Sequence, residues 1–163
     1  MNTQQVDALA RELAVTRWRG VHSADRVTDG RMQPGDVCLV NCCTADRPGL
    51  HWLALHRTAG DSWELFDSSG SHPRVWTQLQ VPARWGSKCA FSREPLQHPA
   101  ADTCALYALL YCLDRAHSSM SEILGGMLKS RRDLARNDRA IVERTLLLLD
   151  PTGPKGFSQG AGD

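Results

Sequence analysis

The segment His51-Trp52-Leu53-Ala54-Leu55-His56-Arg57-Thr58-Ala59-Gly60-Asp61-Ser62-Trp63-Glu64-Leu65-Phe66-Asp67 decides the fold class. It reads as two strands, 51–57 and 62–67, joined by a tight turn at Ala59-Gly60-Asp61. Upstream, the short apolar run Val37-Cys38-Leu39-Val40-Asn41-Cys42-Cys43 suits a buried strand, and Arg47-Pro48-Gly49 breaks it. Thr28-Asp29-Gly30 and Pro34-Gly35 are turn signals in a polar stretch, and further strands are expected near 74–78 and 87–92. Helices flank this centre. Val6, Leu9, Ala10 and Leu13 recur at helical spacing over residues 3–14. A largely apolar, buried helix is expected over 103–117, with Asp102 as its cap, and a last helix over 128–149. Strands in the middle with helices at both ends predict an α+β fold with a central mixed sheet. Residues 1–150 fit one domain, and the Gly-, Pro- and Ser-rich tail 151–163 reads as disordered.

Composition narrows the function classes. Of the 163 residues, 42% are hydrophobic and 23% charged, an ordinary globular balance. The formal net charge of +1 provides no whole-chain field for nucleic acid, so polyanion binding would need a local arginine patch. No apolar stretch approaches the roughly 20 residues that span a bilayer, so no membrane partner is expected. The opening MNTQQVDALARELAV is polar and amphipathic, unlike a secretion signal. Six cysteines, at 38, 42, 43, 89, 104 and 112, are therefore expected as free thiols. None forms a C-x-x-C pair, and no metal is expected.

Four residues carry a candidate chemistry. Nucleophilic catalysis by cysteine needs a thiolate, a base, a group that orients the base, and donors for the oxyanion. Cys104 is expected at the second position of the central helix, where unpaired N–H groups and the helix dipole favour an anion. His51 opens one strand of the hairpin and Asp67 ends the other, so the acid could hold the imidazole. Gln97, in the loop before the helix, could donate its amide to an oxyanion. Each has a plainer reading. A cysteine in an apolar helix is often a small buried hydrophobe, and His51, Asp67 and Gln97 could be an edge histidine, a turn residue and a loop residue. Their order and spacing raise the catalytic reading above these.

The same residues carry a resemblance. Pro48-Gly49-Leu50-His51-Trp52-Leu53-Ala54 resembles the Gly-x-His-Trp-x-Ala segment around the catalytic histidine of the adenain family, the adenovirus-type cysteine endopeptidases. Leu65-Phe66-Asp67-Ser68-Ser69-Gly70 is similar to its Leu-Phe-acid-x-x-Gly stretch, and Gln97 precedes Cys104 by the family spacing of seven. Val40-Asn41 and Met127-Leu128-Lys129-Ser130 also look like family segments, so the resemblance covers about residues 5–150. It implies a papain-like core in permuted order (His, Asp, Gln, Cys). The triad is then Cys104, His51 and Asp67, with Gln97 and the Cys104 N–H in the oxyanion hole. Implied substrates are viral precursor polypeptides cut after Gly-Gly or Gly-x-Gly, in the host nucleus and the virion, by a monomer. Two activators are implied as well: a viral peptide disulfide-linked through Cys89, and DNA against Lys129, Arg132, Arg136 and Arg139. These four basic residues fall at helical spacings, with Asp133 and Asp138 diluting the stripe.

Two departures matter. Ala105 follows the nucleophile where the family carries Gly; inside a helix Ala is compatible, though its methyl could crowd the cleft. Asp67, rather than Glu, is similar to the acid of the SUMO-deconjugating proteases. Three other readings stay open: a ubiquitin-like or SUMO isopeptidase, an inactive protease-like binding protein, and a metal module built from Cys38, Cys42, Cys43 and His51.

Overall fold

Trp52–Arg57 and Trp63–Phe66 form strands β3 and β4 of an antiparallel pair in which Ala54 faces Phe66 and Arg57 faces Trp63. The computed structural model describes residues 1–27, 32–60, 62–79 and 89–152. The expected turn residue Asp61, the turn signal at 28–30 and tail residues 153–163 lie outside the described residues. Strand β2, Val37–Asn41, pairs antiparallel with β3 on the other side, Leu39 opposite Ala54. Two parallel neighbours complete a mixed five-stranded sheet in the order β1-β2-β3-β4-β5. These are β1, Trp18–Ser23, beside β2, and β5, Cys89–Phe91, beside β4. Four helices accompany them: α1 (Thr3–Glu12), α2 (Cys104–Asp114), α3 (Met120–Met127) and α4 (Leu134–Leu149).

The period of two along each strand sorts the core. Val37, Leu39, Trp52, Ala54 and Phe66 pack against α1 and α2, through Val6, Ala10, Tyr107, Leu110 and Tyr111. The intervening residues Cys38, Val40, Leu53, Leu55, Trp63 and Leu65 face the other way, under Ala24, Val27, Met32 and Leu79. Both faces of the central strands are thus dry, which is why they read as continuous apolar runs. Helix α2 lies on β3 with eight buried residues, so only a narrow strip of it meets water.

Several expectations need correction. The stretch near 74–78 is not a strand: Pro73–Val75 form a single 3-10 turn capped by His72, since Pro73 suits a first helical position and has no amide for a ladder. The last helix does not start near 128. Residues 128–133 form a turn after α3, and α4 starts after Asp133, whose side chain accepts from the Arg136 amide. Lys129 and Arg132 lie in that turn, so the four expected basic residues do not make one helical stripe. Arg139 sits 3.6 Å from Asp133. Strand β1 was not expected at all. Gly20, at φ +88, falls where the β1–β2 register shifts between Trp18 and Val21, and this bulge breaks the apolar alternation.

One part-buried charge ties α2 to the sheet. Glu64 accepts from His56 (2.9 Å), Tyr111 (2.8 Å) and Arg115 (2.6 Å). Burial pushes its carboxyl up, but these three donors outweigh that and bring it down to about 2. A depressed carboxylate stabilises the fold above its unfolded value and loses that contribution as pH falls toward the folded one. Stability to urea is therefore expected to fall as pH drops from about 4.5 to about 2. Glu64→Gln, which strands Arg115, should cost about 3 kcal/mol at neutral pH and flatten this acid limb. Unchanged acid sensitivity in the variant would assign the limb to other carboxylates.

Candidate active site

The two ends of the β3–β4 hairpin and the start of α2 converge on one cleft. Asp67 directly follows β4 and is 1% exposed. Its backbone is clamped by Ser92, whose hydroxyl accepts from the Asp67 amide and donates to the Asp67 carbonyl. His51 directly precedes β3, its carbonyl accepting from the Cys42 amide. Its Nε2 lies 2.8 Å from Asp67 Oδ1, which leaves Nδ1 for the Cys104 side chain on the same cleft, with which the ring interacts electrostatically. Two glycines of the motifs have steric reasons. A Cβ on Gly49 would lie 1.6 Å from the Asn41 side chain, and one on Gly70, at φ +68, would lie 2.6 Å from the Pro95 nitrogen.

Cys104 is the first residue of α2, not the second. Asp102 makes no cap; Thr103 occupies that position, and its hydroxyl donates instead to Asp138 Oδ1 at 2.8 Å. Gln97 lines the same cleft as His51 and Cys104, which has a volume of about 430 Å³. Its Oε1 accepts from Ser68 Oγ at 2.7 Å and its Nε2 donates to the Ala101 carbonyl at 2.6 Å. An amide nitrogen has two hydrogens, so one remains for a ligand. The Cys104 N–H, at the first turn, has no intrahelical acceptor.

Electrostatics separate Cys104 from Cys38, Cys42, Cys89 and Cys112. Burial pushes its pKa up, but the His51 bond, the amides of Trp52 and Ala105 and the His51 charge bring it below the ordinary value. Burial acts the other way on His51, and the bonds and charges of Asp67 and Cys104 overcome it and raise the imidazole to about 9. Asp67 is held low against its burial by His51 and Ser69. Burial leads the opposite shift elsewhere, taking Cys38 up to about 12, Cys42 and Cys89 to about 11, and Cys112 well up. The two opposite displacements, Cys104 downward and His51 upward, both favour a thiolate–imidazolium pair.

Two functional contacts escape a reading of the sequence. Trp76, in the stretch expected as a strand, stacks on His51 with centroids 5.1 Å apart and planes 16° apart, and its Nε1 donates to Asp67 Oδ2 at 3.0 Å. It covers the His51–Asp67 bond and fills the second carboxylate oxygen. Asn137 and Asp138, in α4, hold both ends of the Gln97 loop. Asn137 Nδ2 donates to the Leu96 carbonyl, while Asp138 accepts from the His98 amide and the Thr103 hydroxyl. Asp138, expected to dilute a basic surface, is buried instead. Its signal was a polar pair preceding Ile141 and Thr145 on the inward side of α4.

Other expected site residues lie elsewhere. The Ala105 methyl does not crowd the cleft; it is 1% exposed and packed in the core. Trp52 packs beneath the site, with its Nε1 on the Met1 carbonyl. Cys89 begins the edge strand β5, half-buried beside the second core layer. Lys129, Arg132, Arg136 and Arg139 are exposed on the α3–α4 turn and α4. Among the described residues no group of three His, Cys, Asp or Glu side chains is placed to hold a metal. Cys38 instead packs against Met32, and Cys42 lies 3.8 Å from Cys43.

With iodoacetamide at about pH 6.5, Cys104 should be alkylated ahead of every other cysteine, and His51→Ala should slow that reaction more than tenfold. Cys104 labelling that rises only above about pH 8.5 would contradict the ion pair. Trp76→Ala removes a hydrogen bond to a charged group, worth about 1.5–3 kcal/mol. Turnover by any thiol chemistry at this site should drop at least tenfold in kcat with KM little changed, and Trp76→Phe, which keeps the stack, should fall between. A pure rise in KM would instead make Trp76 a substrate contact.

Compared with known proteins, the chain matches no family model and no curated sequence.

Proposed function

We propose that the chain is a cysteine endopeptidase of the adenain kind, with a papain-like core whose functional residues run in the permuted order His51, Asp67, Gln97, Cys104. The observation that carries this reading is the imidazole of His51, bonded to a buried carboxylate and sharing one cleft with Gln97 and a Cys104 thiol whose pKa it helps to lower. Ion-pair chemistry follows from that geometry. The Cys104 thiolate attacks the peptide carbonyl carbon, and the charge that develops on oxygen is met by the free Gln97 N–H and the Cys104 N–H. The imidazolium protonates the departing amine as the tetrahedral intermediate collapses to a thioester. His51 then takes a proton from water, which attacks the thioester and releases the acid. Asp67 keeps the imidazole oriented and supports its charge throughout.

The finer parts of the reading rest on the resemblance. They are cleavage of viral precursor polypeptides after Gly-Gly or Gly-x-Gly, action in the host nucleus and virion, and activation by a peptide at Cys89 or by DNA. The second reading, a ubiquitin-like or SUMO isopeptidase, is favoured by the aspartate at position 67. It shares the chemistry and would need a docking surface for a folded modifier. The burial of Ala105 removes the steric argument for an inactive protein.

The test is intact-mass analysis after exposure to a peptide vinyl sulfone ending in Gly-Gly, with Cys104→Ala as control. A single adduct on Cys104, absent in the control, is expected. No adduct, with DNA and candidate peptides also supplied, would sink the peptidase reading. Preferential hydrolysis of a folded ubiquitin-like precursor over Gly-Gly peptides would favour the isopeptidase.

A further inference from the structure

The Cys104 cleft contains a carboxylate that the fold does not use. Asp102 lines it together with His51, Gln97 and Cys104. It is exposed, and among the described residues its side chain makes no hydrogen bond and no ion pair. Nor does it cap α2, since Thr103 holds that position. Its neighbours along the chain are Ala100, Ala101, Thr103 and Cys104, none of them cationic. Among the described residues that line the cleft there is no lysine or arginine. The remaining candidates for a counter-charge are elsewhere engaged or unpaired with Asp102. His51 is bonded to Asp67, the Met1 ammonium makes no ion pair with Asp102, and His98 accepts from the Ala100 amide through Nδ1, which leaves its ring neutral. From α4 it is Leu134 that reaches the cleft, and Arg136 follows it about 200° around the helix. Arg131, in the turn before α4, is paired with Glu94 at 2.8 Å.

We propose that Asp102 is a specificity-determining residue that receives a lysine or arginine side chain of the peptide beside the bond to be cut. The inference rests on the endopeptidase reading and deepens it by naming the substrate class: a glycine-containing peptide with a basic residue flanking the scissile bond. Two residues of chain span at most about 7 Å, so the Asp102 backbone lies within that distance of Cys104. A long basic side chain covers a gap of that order. Residues farther along an extended substrate recede by about 3.3 Å each, so only those next to the bond can reach the carboxylate. An exposed ion pair contributes weakly and is screened by salt, so the preference should be modest and ionic-strength dependent.

The experiment measures binding, not turnover. Labelled peptides containing Lys-Gly-Gly, Gly-Lys-Gly or Gly-Gly-Lys between neutral flanks are titrated by fluorescence anisotropy against the Cys104→Ala protein. Each is paired with a twin that has Gln in place of Lys. At one of the three positions the Lys peptide should bind about threefold to fivefold more tightly than its twin at low salt. That advantage should vanish at high salt and in a protein also carrying Asp102→Asn. The Asn variant keeps the shape of a side chain that is bonded to nothing, so its thermal midpoint should not move. With Asp102→Lys in its place, a Glu peptide should take over the preference. No Lys advantage at any position, absence of binding included, overturns the assignment, as does an advantage that survives Asp102→Asn. Lys preference without labelling by the Gly-Gly vinyl sulfone would strike the peptidase reading alone. Labelling without Lys preference would strike only the role of Asp102.

Discussion

A carboxylate at 1% exposure must be surrounded by donors or give up its charge. Around Asp67 every donor is accounted for: His51 and the Ser69 amide on Oδ1, and the Trp76 indole on Oδ2. The charge is kept, and the imidazole that helps keep it is raised in turn. That raised imidazole is what lowers Cys104 despite its burial. The polarity of the whole cleft therefore descends from one satisfied buried anion, and the scaffold can be read as the means of holding it.

Register does most of that holding. Ala54 faces Phe66, so continuing the antiparallel pairing would set His51 opposite Ser69, two residues from Asp67 on the same face. His51 shares the parity of Leu53 and Leu55, and Asp67 that of Trp63 and Leu65. A one-residue slip would separate the pair and also turn the apolar residues of the hairpin to the wrong layer. Core and site enforce the same pairing. The helix side is fixed independently, by the Glu64 cluster at one end of α2 and by Asn137 and Asp138 around the loop at the other.

The hairpin, β2, α1 and α2 were legible because their apolar patterns are local and uninterrupted. So were His51, Asp67, Gln97 and Cys104, whose order along the chain carries a recognisable spacing. What escaped depends on distant partners. Gly20 hides β1 by interrupting its pattern with a bulge, and β1 exists only because β2 lies beside it. Trp76 looks like a strand aromatic until Asp67 provides a partner for its indole. Asp138 looks like surface charge until Thr103 and His98 are brought to it. Cys104 was placed one residue too far into the helix because Asp102 resembles a cap, whereas the cap position falls to Thr103, whose hydroxyl is committed to α4.

That commitment to α4 has a temporal side. The loop carrying Gln97 leads into Cys104, yet the residue that fixes Thr103 is encoded 35 positions later. Chains emerge during synthesis at about 5–20 residues per second, so roughly two to seven seconds separate the appearance of Cys104 from that of Asp138. Throughout that interval the nascent chain holds Cys104, His51 and Asp67 but not the clamp on the Gln97 loop. Completion of this cleft therefore waits on the arrival of α4, the order of synthesis setting the order in which its walls can close.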